Sequence, residues 1–300
     1  MYLTMEKDDD SFFHAESECL ERCGSAGRAK QRVVFITYVC TQEIITIDMK
    51  ILAIEASGPV AGCALLEDGL LTADYNVQYK RKHSQSLVPM MDEMKRMLEL
   101  DLQTVDAIAI AKGPGSFTGL RIGVATAKGA ALAMDRPIIP VPTVDSIAYN
   151  LYGTDALICP LMDARRQQVY TGIYEWKRGD TDTGAGDLRF TVVRPQCVIP
   201  VSEIAEDLNA RGRSVIFLGD GVPVSKDALA ELMKVPYSFA PAHLDRQRAA
   251  AVASLAWSYY QEEGNACMVS ADDFRPEYLR LAQAEQEHSE RRSFSLLLEK

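Results

Sequence analysis

Three places along the chain gather residue types that could handle an anion or a proton. Gly113-Pro114-Gly115 follows a short β-compatible run and precedes Ser116 and Thr118, each able to cap a helix. Free amides at such a helix start, together with the helix dipole, favour a phosphate. The turn therefore reads either as a phosphate cradle or as a plain strand-to-helix turn, in which glycine supplies backbone angles closed to other residues. Gly115 and Gly119 match no phosphate-loop spacing. Glu55 ends a strand, with Ser57 two residues on. A carboxylate there could hold a magnesium-bound phosphate or a water, or simply cap the turn at Gly58. Asp163-Ala164-Arg165-Arg166 puts three charges at another strand end, as an anion or partner contact or as a solvated hairpin corner. His83 has no histidine or cysteine at ligand spacing and reads as a helix-start residue.

The elements that must position these residues fall into two similar series. The first runs strand 51–56, a tight turn at Ser57-Gly58-Pro59, strand 60–66, an Asp68-Gly69 turn and strand 70–78. Asp-Gly between apolar runs is a strong hairpin signal. Helix 84–100, strand 105–111, helix 118–134, strand 137–141 and a helix from Thr143 follow. The second series has strands 156–162 and 168–176, a loop at 179–187 and strand 188–194. Helix 202–211, strand 214–218, Gly219-Asp220-Gly221, helix 223–234 and helix 246–262 complete it. A duplicated βββαβα unit implies an α/β fold of two lobes, each a mixed sheet flanked by helices, with a cleft between. The expected lobes are 49–150 and 151–280, with helix 246–262 free to pack back on the first and a tail at 281–300. Antiparallel hairpins opening each lobe, without GxGxxG or Walker A motifs, argue against a plain dinucleotide fold.

The formal net charge of −10 and a sequence pI near 5.0 disfavour nucleic acid as the primary ligand of this chain, because such binding relies on Lys and Arg. Seven cysteines lack metal-ligand or disulfide-framework spacing, and four scattered histidines offer no zinc cluster, so a reducing cytosol is expected. No run is long and apolar enough for a transmembrane helix. Residues 1–48 differ in character, with five Lys or Arg against nine Asp or Glu and a β-rich run at 33–47. That acidity is foreign to a transit peptide, and the functional chain is expected to start at Met49, with 1–48 a start-site artefact or disordered appendage.

The helix 118–134 carries only Arg121 and Lys128 as charges and has no polar face, so more than its own sheet must cover it. Gly119, Gly123, Ala127 and Ala131 form a four-residue small-residue strip along it. Helix 84–100 presents Leu87, Met91, Met94 and Leu98 on one stripe, with Met90 beside it. Methionine suits adaptable contacts, and small residues let another helix approach closely. These nine residues are the expected partner interface, as in a bundle formed with another protomer.

Taken together, Ile51-Leu52-Ala53-Ile54-Glu55-Ala56-Ser57, His83-Ser84-Gln85-Ser86-Leu87-Val88-Pro89, the KGPGSFTGLRIG run at 112–123, Asp163-Ala164-Arg165-Arg166 and Pro276-Glu277-Tyr278-Leu279-Arg280 resemble the TsaB (YeaZ) family. The resemblance implies an actin-like ATPase (ASKHA) fold and a part in forming N6-threonylcarbamoyladenosine at position 37 of ANN-decoding tRNAs. It further implies a non-catalytic scaffold or dimerisation subunit that pairs with a paralogous TsaD-type transferase. A TsaE-type ATPase joins the larger complex, tRNA is met mainly through partners, and the chain homodimerises when alone.

The departures from the catalytic paralogue bear on mechanism. That enzyme binds metal through an HxxxH motif; here Thr143 and Ile147 stand where its histidines would be, and isoleucine cannot ligate. Its glycine-rich SGGHT segment is replaced by the Asp163 to Arg166 run. No cofactor, metal or catalytic residue is therefore expected, and Glu55, Ser57, Gly113 and Gly115 read as vestiges of an ancestral cleft. The alternatives are a metal-dependent threonylcarbamoyltransferase or glycopeptidase-like enzyme, and an acyl- or sugar-kinase relative binding ATP in the cleft.

Overall fold

The computed structural model describes residues 49–79, 83–179 and 188–280. Expectations for 1–48, for 281–300 and for most of the loop 179–187 lie outside the described residues.

Strand β1 (Lys50–Glu55) is buried at every position after Lys50. Its unbroken apolar run, without alternation, belongs to a strand covered on both faces. It lies at the centre of a five-stranded sheet of order β3-β2-β1-β4-β5. On one side β2 (Ala61–Glu67) and β3 (Leu70–Val77) add antiparallel; on the other β4 (Ala107–Gly113) and β5 (Ile138–Pro142) run parallel. Asp68 and Gly69 adopt φ of 50° and 80°, the left-handed pair that matches a tight hairpin turn to the twist of its strands.

The second sheet contains β6 (Leu157–Asp163), β7 (Gln168–Arg178), β8 (Leu188–Pro200), β9 (Val215–Leu218) and β10 (Tyr237–Phe239), in the order β10-β9-β6-β7-β8. Again the first strand is central, the next two extend it antiparallel, and the last two lie parallel on the other side. One topology thus occurs twice, and the chain has the two-lobed α/β architecture of the ASKHA fold. Strand β10 escapes the sequence pattern because three residues are too few to display a period. Strand β8 continues past the expected 194 to Pro200.

The helices, in chain order, are α1 (His83–Met97), α2 (Phe117–Met134), α3 (Thr143–Tyr149), α4 (Val201–Arg211), α5 (Val222–Leu232) and α6 (Ala249–Glu263). Helices α1 and α2 cover one face of the first sheet, where Leu87, Met94, Ala127 and Ala131 meet Ile54, Leu65, Ile108 and Ile110. Helices α4 and α5 cover the second sheet through Ile204, Leu208 and Leu229. The other two exchange places. Helix α3 follows the first sheet yet packs Val144, Ile147 and Ala148 against Ile158, Met162 and Tyr174 of the second. Helix α6 follows the second sheet yet lies on β1 and β2 of the first, burying Ala249, Val252, Ala253, Leu255 and Ala256. Its alanines permit that close approach. Among the described residues no helix is long and apolar enough to cross a membrane.

Candidate functional site

A cleft of about 500 Å³ opens where the strand-end turns of the two lobes face each other. Ser57, Gly58 and residues 114–117 line it from the first lobe, residues 162–166 and Asp220 from the second, and residues 278–280 from the end of the described chain.

At the glycine turn, close approach explains the residue types. Gly113 has φ of 117°, and a Cβ there would stand 2.2 Å from the Glu277 carbonyl oxygen. At Gly115 it would stand 2.2 Å from the Ser57 carbonyl oxygen. The turn's polar groups are largely consumed within the protein. The Gly113 amide donates to Thr143 Oγ1 at 3.2 Å and its carbonyl accepts from Gln196 Nε2 at 3.2 Å. The Ser116 amide donates to the Ser57 carbonyl at 2.7 Å, and Ser116 Oγ caps α2 by accepting from the Gly119 amide at 3.3 Å. Lys112 bonds the strand's other flank to Glu277, through its carbonyl at 2.7 Å and its ammonium at 2.9 Å. Four chain segments therefore meet on this turn. The phosphate-cradle reading loses the Gly113, Ser116 and Gly119 amides to bonds within the chain.

Glu55 is fully buried at the end of β1. Its Oε1 accepts from the Ser57 amide at 2.6 Å and from Ser57 Oγ at 2.5 Å, while Oε2 has no partner among the described residues. Burial pushes its pKa up to about 7, against the lowering pull of the Ser57 hydrogen bonds. The carboxyl group thus caps the β1–β2 turn. His83 serves the same turn from the start of α1, its Nε2 donating to the Gly58 carbonyl at 2.7 Å. Asp163 holds its own corner, accepting from the Arg165 amide at 2.7 Å and pairing with the Arg165 guanidinium at 2.9 Å.

Thr143 is fully buried, and its hydroxyl is engaged by the Gly113 amide. Ile147 is buried in the core between α3 and the second sheet. Thr143 is thus taken up by a hydrogen bond inside the chain and Ile147 by packing. Among the described residues no group of three His, Cys, Asp or Glu is placed to hold a metal ion.

The structure corrects the expected helical interface. Leu87, Met94, Gly119, Gly123, Ala127 and Ala131 are buried in the chain's own first lobe, and the half-buried Met90, Met91 and Leu98 pack against the same core. A Cβ on Gly119 would stand 2.2 Å from the Ala56 carbonyl oxygen, and the Cβ of Gly123 would meet that of Ala56 at 3.1 Å. The small-residue strip lets α2 settle on β1, so those atoms face no partner. A second strip faces outward: Ala125, Gly129 and Ala133 are exposed or half-buried, beside Arg121 and the 61% exposed Leu132. A Cβ on Gly129 would meet nothing within 4 Å beyond its own helix backbone. On α1 the exposed apolar residues are Val88 and Met97. Small residues on both faces of α2 are the reason its sequence shows no polar side.

Several polar links escape sequence reasoning because isolated residues carry no spacing signal. Gln247 is buried, donates to Asp220 Oδ1 at 3.2 Å and lies against Gly58. Asp145 accepts from the Tyr174 hydroxyl at 2.6 Å, and burial raises its pKa to about 6. Gln196 joins β8 to Gly113 and, through its Oε1, to the Val144 amide at 3.4 Å.

The family model described as "TsaD: tRNA N6-adenosine threonylcarbamoyltransferase" matches residues 77–288. A Bacillus subtilis (strain 168) protein named tRNA threonylcarbamoyladenosine biosynthesis protein TsaB is 35% identical over 237 residues, which span 79% of this chain and 96% of that relative. The Escherichia coli (strain K12) protein of the same name is 32% identical over 152 residues, 50% of this chain and 64% of that one. A solved structure described as YeaZ from Pseudomonas aeruginosa superposes with a TM-score of 0.62 at 27% identity, covering 77% of this chain and 100% of the other. On these grounds the chain belongs to the TsaB family.

Proposed function

We propose that this protein is the non-catalytic subunit that pairs with a TsaD-type transferase to form N6-threonylcarbamoyladenosine at position 37 of ANN-decoding tRNAs. A TsaE-type ATPase joins the larger complex, a second copy occupies the same face when the chain is alone, and the pathway operates in the cytoplasm. The observation that carries the reading is the outward strip of Ala125, Gly129 and Ala133 on α2, flanked by exposed Leu132 and, on the neighbouring helix, Val88 and Met97. Such a strip lets a partner helix approach until backbone and side chains touch along its length. The absence of a catalytic role is supported by residue chemistry: Thr143 is buried and bonded to the Gly113 amide, Ile147 is buried and cannot ligate, and the Ser116 amide is bonded to the Ser57 carbonyl.

Gly129→Glu tests the pairing, because the open space at Gly129 admits the new side chain without disturbing the fold. Co-expressed with the transferase, the variant should fail to co-purify and should not support modification of tRNA. Undiminished co-purification would place the interface elsewhere.

A further inference from the structure

The mouth of the cleft gathers positive charge and exposed aromatic rings in a chain whose formal net charge is −10. Phe117 and Tyr278 both line it, each 40% exposed, with ring centroids 5.4 Å apart. The Arg121 guanidinium lies 3.9 Å from the Phe117 ring centroid. Arg166 and Arg280 line the same cleft. Among the described residues Arg166 has no carboxylate partner, and Arg280 bonds only to the Ala164 carbonyl. Two carboxylates also line the cleft: Asp163 is paired with Arg165 at 2.9 Å, and Asp220 accepts from the neutral Gln247 amide at 3.2 Å. Three arginines (Arg165, Arg166 and Arg280) against these two carboxylates leave the lining with a net positive charge. Arg165, Arg166 and Gln167 also hold φ of 63°, 53° and 59°, a run of left-handed backbone that L-residues adopt at a cost.

Rings that stay half in water beside unpaired guanidinium groups form a platform of defined chemistry. An unpaired base can stack on Phe117 or Tyr278, while Arg166 and Arg280 meet the phosphates on either side of it. A double helix cannot use the rings, because its bases are stacked inside. Screening over about 8 Å at physiological salt limits the reach of the chain's net negative charge, so the groups at the mouth act largely on their own. We propose that the cleft mouth binds single-stranded RNA, as a second contact for the tRNA substrate alongside the transferase. The choice of RNA over other anions rests on the proposed function; the stacking and charge do not.

The test is fluorescence anisotropy with the full-length chain and a labelled oligoadenylate of about 10 nucleotides, a normal site size for single-strand binding. The RNA should bind at low salt and weaken steadily as salt rises. Phe117→Ala and Tyr278→Ala should each weaken binding by about tenfold. Arg166→Glu should weaken it and flatten the salt dependence. Thermal unfolding of each variant checks that the fold is retained. Equal binding of an RNA duplex, equal binding of AMP, equally effective displacement by polyglutamate, or variants that bind like wild type would each overturn the proposal. Pairing with the transferase is read separately by co-purification. A chain that binds the RNA but fails to pair sinks the proposed function alone, and one that pairs but ignores the RNA sinks this inference alone.

Discussion

Replacing Glu55 with glutamine should flatten the dependence of stability on pH. The carboxyl group is fully buried, with one oxygen satisfied by Ser57 and the other without a partner among the described residues. Its pKa rises from an ordinary 4.5 to about 7, first through burial, with the Asp220 charge adding to it. Over this range the folded protein holds the proton more tightly than the unfolded chain does. The resulting stabilisation is complete below the unfolded value and is lost as pH rises through the folded one. The gap between the two values corresponds to roughly 3 kcal/mol. About 2 kcal/mol of that should disappear between about pH 5.5 and about pH 8.5. The side chain of Glu55→Gln would keep an acceptor for Ser57 and has no proton to lose. Asp145, raised to about 6, pulls in the same direction but is common to both proteins and cancels in the comparison. Urea unfolding followed by tryptophan fluorescence, at both pH values for both proteins, gives the difference directly. If the two proteins lose stability in parallel across that range, Glu55 is not protonated in the fold and the reasoning fails.

Gly113→Ala should cost about 3 kcal/mol or more, since it combines a φ of 117° with a clash on the Glu277 carbonyl, and thermal unfolding would register it as a clear fall in midpoint. Gly129→Glu should raise stability by up to about 1 kcal/mol, because it replaces glycine with a better helix former at an open position, even as it abolishes pairing; a fall in midpoint would mean the position is not open.

Much of the first lobe was legible because its signals are local. The Asp68-Gly69 turn names its own backbone geometry, and the apolar run of β1 announces a strand buried on both faces. The repeat emerged because each lobe opens with the same hairpins. The facing of α2 was not legible. A helix with small residues at 119, 123, 127 and 131 and again at 125, 129 and 133 has two candidate packing faces, and spacing cannot say which one meets the sheet. Ala56 decides it, because its carbonyl leaves room only for Gly119. The glycine turn was ambiguous for a related reason: glycine marks close approach, and the sequence does not show whether a ligand or the chain itself comes close. Here Ser57 and Glu277 do. Gln196, Gln247 and the Asp145–Tyr174 pair act across long sequence separations and leave no pattern at all.

The exchange of α3 and α6 has a consequence for cooperativity. The expected lobe boundaries at 49–150 and 151–280 follow the sheets, yet neither span holds a complete core. The first sheet depends on α6 to bury the face of β1 and β2 opposite α1 and α2, and the second depends on α3 to cover Tyr174, Ile158 and Met162. Polar links reinforce the exchange: Arg248 pairs with Asp74 at 2.8 Å, the Ala249 amide donates to Asn76 at 3.0 Å, and Gln196 ties β8 to Gly113. Cutting at residue 150 would expose the central strand of the first sheet on one face, where fully burying a single large apolar side chain contributes about 1.5–3 kcal/mol. Net stabilities of domains are only about 5–15 kcal/mol, so losing several such side chains together exceeds what remains. A fragment of residues 49–150 should therefore show no cooperative urea transition, whereas the whole chain should unfold in a single step by fluorescence and by circular dichroism. A fragment that unfolds cooperatively with the midpoint of the full chain would mean that the lobes fold independently and that α6 only decorates the first sheet.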